Sequence, residues 1–163
     1  MNATRSDVRI ETASAEHLSA WAALRAVLWA DESIEEHRAE LEGALAALSD
    51  DRTAFVAIGH GGEVAGFAEA SIRRDHVNGC DTSPVAFLEG IYVRPDHRHA
   101  GVARTLCRAV EEWGGANGCT ELGSDADIRN GEGHAFHAAI GFEETERVVF
   151  FRKPIQAAGA GQA

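Results

Sequence analysis

The stretch that leaves the fold least freedom runs from residue 85 to residue 113. Residues 85–93 (Val85-Ala86-Phe87-Leu88-Glu89-Gly90-Ile91-Tyr92-Val93) are the most apolar run of the chain and predict a buried strand. That strand ends at Pro95, which has no N–H to give to a ladder. A short turn follows, and a helix opens at the small residues Ala100, Gly101 and Ala103. Residues 100–113 place Val102, Leu106, Val110 and Trp113 on one side of that helix, with Gly114-Gly115 expected to end it. The first N–H groups of a helix have no intrahelical partner, and the helix dipole adds positive potential there. A pyrophosphate fits such a place when no side chain blocks its approach, and Gly101 and Ala103 leave it open.

The flanking segments read in order. Residues 8–10 predict a short strand, and a helix opens at Ser14, with Leu18, Trp21, Leu24 and Leu28 on one face. Ser33-Ile34-Glu35-Glu36 fits a capping box for a second helix continuing through Leu41, Leu45 and Leu48. Residues 53–58 and 64–73, joined by His60-Gly61-Gly62-Glu63, predict a β-hairpin. A loop containing Asn78-Gly79, Asp81 and Ser83-Pro84 leads into the apolar strand. A short strand near 120–123, a helix over 132–140 stopped by Gly141, and a final extended segment over 143–153 complete the series. Hairpin strands first and helix crossovers later predict a mixed α/β sheet.

With 163 residues, 45% of them hydrophobic, the chain can bury one sizeable core. We expect a single domain over 1–153 and a loose tail over 154–163, where the sequence is small, polar and aperiodic. The net charge of -11 argues against nucleic acid and anionic membranes as partners, and suits a cationic substrate. No apolar run reaches the length of a membrane span, and the first ten residues lack a signal-peptide core, so a cytoplasmic protein is expected. Cys80, Cys107 and Cys119 match no zinc or redox spacing, which predicts reduced thiols and no metal.

Neither common nucleotide loop is present: Gly101 is followed by Val102-Ala103, where a P-loop needs Lys-Ser/Thr, and three spaced glycines are missing. Arg98-His99-Ala100-Gly101-Val102-Ala103 instead resembles the Arg/Gln-x-x-Gly-x-Gly/Ala signature of the GNAT N-acetyltransferases. The preceding Ile91-Tyr92-Val93-Arg94-Pro95, the downstream Asn130 and the late Gly141-Phe142 extend that resemblance over roughly residues 8–153. It implies a GNAT-type mixed, largely antiparallel central sheet with helices on both faces, and acetyl-CoA as the donor. By the same resemblance Ile91, Tyr92, Val93, Arg98, His99, Ala100, Gly101, Val102, Ala103 and Asn130 contact that donor.

Four further stretches lie outside the donor motif and resemble the aminoglycoside 6'-N-acetyltransferases. They surround Trp21-Ala22-Ala23-Leu24-Arg25 with Leu28-Trp29, Ala70 through Cys80, Ser83 through Ile91, and Gly141 through Val149. The resemblance implies an acceptor site at Trp29, His76, Glu89, Asp125 and Glu146, and a homodimer; Glu32, beside Trp29, stands where some relatives have His. A polycationic, hydroxylated substrate calls for carboxylates and an aromatic platform. Each residue also has a plainer reading: Trp29 as core, Glu89 on a solvated face, Asp125 and Glu146 as surface acids. No activated nucleophile is evident in the sequence, so direct attack by the amine in a ternary complex is expected, with Glu89 or Asp125 as base. An interruption of the strand at Gly90 would free N–H groups for the thioester oxygen. His137 stands where many GNAT proteins carry a Tyr that protonates the CoA thiolate; a packed helix histidine is the other reading. The alternatives are a GNAT enzyme for a polyamine or a protein N-terminus, and a non-catalytic CoA-binding module.

Overall fold

The computed structural model describes residues 8–47 and 49–155. Five strands form one sheet in chain order: β1 (Arg9–Thr12), β2 (Arg52–Ile58), β3 (Val64–Arg73), β4 (Val85–Val93) and β5 (Leu122–Ser124). β1 to β4 are antiparallel neighbours, and β5 runs parallel to β4. A parallel neighbour needs a crossover long enough to return the chain to the same end of the sheet. Helix α3 (Val102–Ala116) supplies it. The β2–β3 turn closes through Gly59 N–H to Glu63 O at 2.9 Å, with Gly62 at φ +82°.

Helices α1 (Leu18–Leu28) and α2 (Ile34–Ala47) cover one face of the sheet. Leu18, Trp21 and Ala22 of α1 and Leu41 of α2 bury against Val56 and Phe67 there. On the opposite face Val102, Leu106 and Val110 of α3 bury against Ala68, Ala70 and Leu88. Helix α4 (Gly131–Ile140) follows β5 and is tied to α3 by Arg104 Nη2 donating to Ala139 O at 2.8 Å. The mixed, largely antiparallel sheet with helices on both faces is the architecture expected from the sequence. The capping box of α2 also forms: Ser33 N–H donates to Glu36 Oε2 at 2.8 Å, and Glu36 N–H to Ser33 Oγ at 3.2 Å. Leu48 lies outside the described residues.

Two expectations need correction. Gly114-Gly115 do not end α3, which continues to Ala116. Gly114 is a packing residue, since a Cβ there would stand 2.7 Å from Ala86 Cβ of β4. The helix stops one turn later, where Asn117 N–H caps the Trp113 and Gly114 carbonyls and Gly118 takes φ +82°. Residues 143–153 form no strand. A strand exists through ladder hydrogen bonds, and no described sheet edge lies along this segment. It runs as exposed chain, with Thr145 and Glu146 against the turn at Gly79 and Val149, Phe150 and Phe151 77–93% exposed.

The register of β3 on β4 contains one irregularity, and it sets up the site. Glu69 pairs with Gly90 and Ala70 with Leu88, leaving Glu89 as an extra residue in β4. Leu88 and Ile91 consequently both join the α3 face. The two residues between them turn the other way: Glu89 meets Ser71 and Arg73, and Gly90 meets Trp29 at the end of α1.

Leu106 is fully buried between α3 and the sheet. Leu106→Ala is predicted to lower unfolding free energy by about 2–5 kcal/mol, read by urea denaturation. A loss under about 1 kcal/mol would contradict this packing.

Candidate active site

Helix α1 ends at Trp29, whose N–H donates to Arg25 O at 2.7 Å. Three neighbours fix this residue. His37 Nε2 lies 3.0 Å from Trp29 O; a carbonyl only accepts, so Nε2 carries the hydrogen. The Arg25 guanidinium lies 5.0 Å from the Trp29 ring centroid. The ring edge rests on Gly90, where a Cβ would stand 2.4 Å from it. A strand residue with any side chain would push the indole away. Gly90 is therefore required by the tryptophan that seats on it.

Beside Trp29 opens a cavity of about 620 Å³, within the range of small-molecule sites. Three carboxylates (Asp51, Glu69, Glu89) and three arginines (Arg25, Arg52, Arg73) line it with Trp29 and Ser71. Glu89 does not stand alone there. Ser71 Oγ donates to its Oε1, and Arg73 Nη2 lies 3.0 Å from both carboxylate oxygens. The Arg73 guanidinium carbon also sits 3.4 Å from the Phe87 ring centroid. Glu69 receives Trp21 Nε1–H at 2.8 Å and lies 3.2 Å from Arg25 Nε. Burial pushes the Glu69 carboxyl above the usual carboxylate range, against the pull of Arg25 and Trp21.

The structure thus brings together two of the acceptor residues read from the sequence, Trp29 and Glu89. The others lie elsewhere. Glu32 is exposed at the start of α2, with Oε2 3.5 Å from His37 Nδ1. His76 is exposed in the loop after β3, Asp125 is exposed just beyond β5, and Glu146 lies against the Gly79 turn. None of these four lines the cavity. Asp51, Glu69, Ser71 and Arg73 were missed by sequence reasoning. For the last three a signal was present in β3, where they alternate with apolar residues and so share one face.

The residues read from the sequence as donor contacts lie along the end of β4, the turn into α3 and the start of α4. Among the described residues only Ala86, Phe87 and Leu88 pair with β5, and Ile91, Tyr92 and Val93 have no strand partner on that edge. The turn leading to α3 carries two left-handed residues, His99 at φ 61° and Gly101 at φ 79°. At Gly101 that conformation costs little, because it has no Cβ. The Val102 side chain is buried in the core, leaving its N–H, with those of Ala103 and Arg104, without a partner inside the helix. Ala100 and Ala103 keep the approach low. Arg98 turns back on its own strand, Nε donating to Val93 O at 3.0 Å and the guanidinium carbon 5.5 Å from the Tyr92 ring centroid. Asn130 caps α4, its Oδ1 accepting from Gly133 N at 2.9 Å.

One pairing was not evident in the sequence. Ser124 Oγ at the end of β5 lies 2.8 Å from His137 Nε2, while His137 Nδ1 lies 2.7 Å from Gly133 O. The carbonyl fixes a hydrogen on Nδ1, while Ser124 Oγ, which also lies 3.2 Å from Leu88 O, has one hydrogen to share between that carbonyl and Nε2. This pair sits where β5 ends and β4 continues alone. The thiols offer no alternative nucleophile: burial pushes Cys107 up to about 12, and burial likewise raises Cys80 and Cys119. Among the described residues no helix is long and apolar enough to cross a membrane.

Comparison with known proteins agrees with this geometry. The family model described as acetyltransferase (GNAT) family matches residues 18–142. Aminoglycoside N(6')-acetyltransferase type 1 of Serratia marcescens is 51% identical over 140 residues, covering 86% of this chain and 94% of its own. The solved structure of AAC(6')-Iy in complex with the bisubstrate analog CoA-S-monomethyl-acetylneamine superposes with a TM-score of 0.83 at 45% identity, over 91% of this chain and 99% of that one. The aminoglycoside 6'-N-acetyltransferase AAC(6')-Ih from Acinetobacter baumannii gives 0.86 at 43% identity, with coverages of 91% and 99%. A strand–turn–helix donor cradle on a mixed five-stranded sheet, and a family match spanning α1 to the end of α4, lead to one conclusion: the chain belongs to the GNAT acetyltransferase family.

Proposed function

We propose that this protein transfers the acetyl group of acetyl-CoA to the 6'-amino group of aminoglycosides, by direct attack of the amine in a ternary complex. The observation that carries the reading is the acceptor cavity itself. An indole platform seated on Gly90 stands beside a cavity containing Glu89 and Glu69, the chemistry a polycationic sugar requires. The relatives named above acetylate aminoglycosides by their names, and one of the solved structures holds CoA joined to an acetylneamine.

The chemistry follows from the residues. The α3 opening, from His99 to Ala103, receives the CoA pyrophosphate, and the free β4 edge at Ile91 to Val93 takes the arm that carries the thioester. The acceptor ring stacks on Trp29. Glu89 brings a carboxylate, and the bulge beside it directs strand N–H groups toward the thioester oxygen. The attacking nitrogen must lose a proton, which passes to Glu89 or Asp125, directly or through water. The departing thiolate must gain one, and the Ser124–His137 pair holds a proton at the fork of β4 and β5. The resemblance also assigns His76, Glu32 and Glu146 to the acceptor, although none of them lines the cavity. No metal enters these steps.

We also infer a cytoplasmic homodimer, with 1–153 as its folded domain and 154–163 as a tail. The exposed run Val149, Phe150 and Phe151 supports the assembly, because a soluble monomer rarely leaves such a patch in water. Sedimentation equilibrium is predicted to give twice the mass of the chain, with Phe150→Asp/Phe151→Asp shifting it to one.

The function is tested by following thiol release from acetyl-CoA with an aminoglycoside acceptor and locating the acetylated nitrogen by NMR. Acetylation at the 6' position supports the reading; turnover only with polyamines or N-terminal peptides contradicts it. Within that assay, Glu89→Gln or Asp125→Asn is predicted to lower kcat about a hundredfold to ten-thousandfold from pH 6 to 9 if the replaced carboxylate is the base. A rise in KM at level kcat assigns it to holding the substrate instead.

A further inference from the structure

Glu69 is a cavity carboxylate to which the steps above assign no contact, and its surroundings are unusual for a structural ion pair. It is held on one oxygen only: Oε1 meets both Trp21 Nε1 and Arg25 Nε. Among the described residues Oε2 has no hydrogen-bond partner, and Glu69 lines the cavity beside Trp29. Its cation is also shared, because Arg25 Nη2 lies 2.8 Å from Glu40 Oε2. Two carboxylates therefore divide one guanidinium, and the cluster keeps a net negative charge. In register Glu69 stands opposite Gly90, the residue on which the Trp29 ring rests. Cross-strand neighbours of this kind lie about 5 Å apart at Cβ, so the carboxylate lies at the foot of the indole.

Resting on the proposed aminoglycoside chemistry, we propose that Glu69 is a further substrate-binding residue: it receives a protonated amine of the sugar ring that stacks on Trp29. The Glu69 side chain is 17% exposed, so Oε2 is open to the cavity, and an ammonium group arriving there supplies it with both a charge-assisted hydrogen bond and a balancing charge. The elevated proton affinity that burial gives Glu69 fits this, since the group gains most from a cation that arrives with the substrate. Selectivity follows from the same contact. An acceptor with a hydroxyl in place of that amine offers no charge to balance the cluster, so the site favours polyamino acceptors over their deaminated analogues.

The test compares Glu69→Gln with Glu40→Gln. Glutamine keeps the shape and the acceptor oxygen for Trp21 and removes the charge. Glu69→Gln is predicted to raise the aminoglycoside KM about tenfold or more, with kcat changed less than threefold and acetyl-CoA affinity by calorimetry unchanged. Glu40→Gln breaks the other Arg25 pair outside the cavity and is predicted to leave all three constants near wild type. A wild-type KM in folded Glu69→Gln would overturn the proposal. So would an equal rise in Glu40→Gln, which would place the effect on Arg25. Should Glu69→Gln fail to fold, the comparison moves to Arg25→Gln, where no unpaired guanidinium remains: there Glu69→Gln must still raise KM about tenfold, and no further rise overturns the proposal. A wild-type protein that acetylates no aminoglycoside would instead remove the function on which Glu69's role rests.

Discussion

The extra residue in β4 is the constraint on which the site depends. In an unbroken strand Glu89 and Gly90 would point to opposite faces, and one of them would enter the packed interface with α3. The bulge turns both toward α1. Leu88 and Ile91 on either side still reach the α3 core, so the strand loses no apolar anchor. The outcome is a carboxylate and a bare patch of backbone side by side, the patch covered by the Trp29 ring. The irregularity also ends close to where β5 stops pairing, so the same few residues free the strand edge toward the donor side.

In the proposed reaction donor and acceptor are consequently held by different layers. The donor cradle belongs to α3 and the outer edge of β4; the acceptor cavity belongs to α1, β3 and the inner face of β4. They meet only at residues 89–91. Charge follows the same division. The cavity acids enter the reaction already engaged, Glu89 with Arg73 and Ser71, Glu69 with Arg25 and Trp21. A chain of net charge -11 attracts a polycation from a distance, and in the proposed function selection among amines falls to these partly satisfied pairs.

Much of this was legible in the sequence, for physical reasons. The bounds of β3 and β4 follow from largely apolar runs set between turn residues, and the α3 face from four residues at helical spacing. The donor turn was legible because strand, Pro95 and Gly101 leave few alternatives. Trp29 and Glu89 could be named, but not the contact between them, because a bulge has no spacing of its own in the sequence. Glu69, Ser71 and Arg73 escaped for a related reason: their alternation becomes meaningful only once the face they share is known to open on a cavity. The Ser124–His137 pair joins residues from β5 and α4, which only the folded chain brings together. The end of α3 and the segment 143–153 were misread because Gly114 serves packing, and because a strand pattern without a neighbouring edge makes no strand.

Gly90 is the seat of the proposed acceptor platform. A single methyl at this position would stand 2.4 Å from the Trp29 ring and must displace it, while the α3 cradle lies on the other side of the strand. In Gly90→Ala the aminoglycoside KM should rise about tenfold or more, with acetyl-CoA affinity by calorimetry held within about twofold of wild type. An unchanged KM, or an equal loss of both affinities, would contradict that role for Gly90.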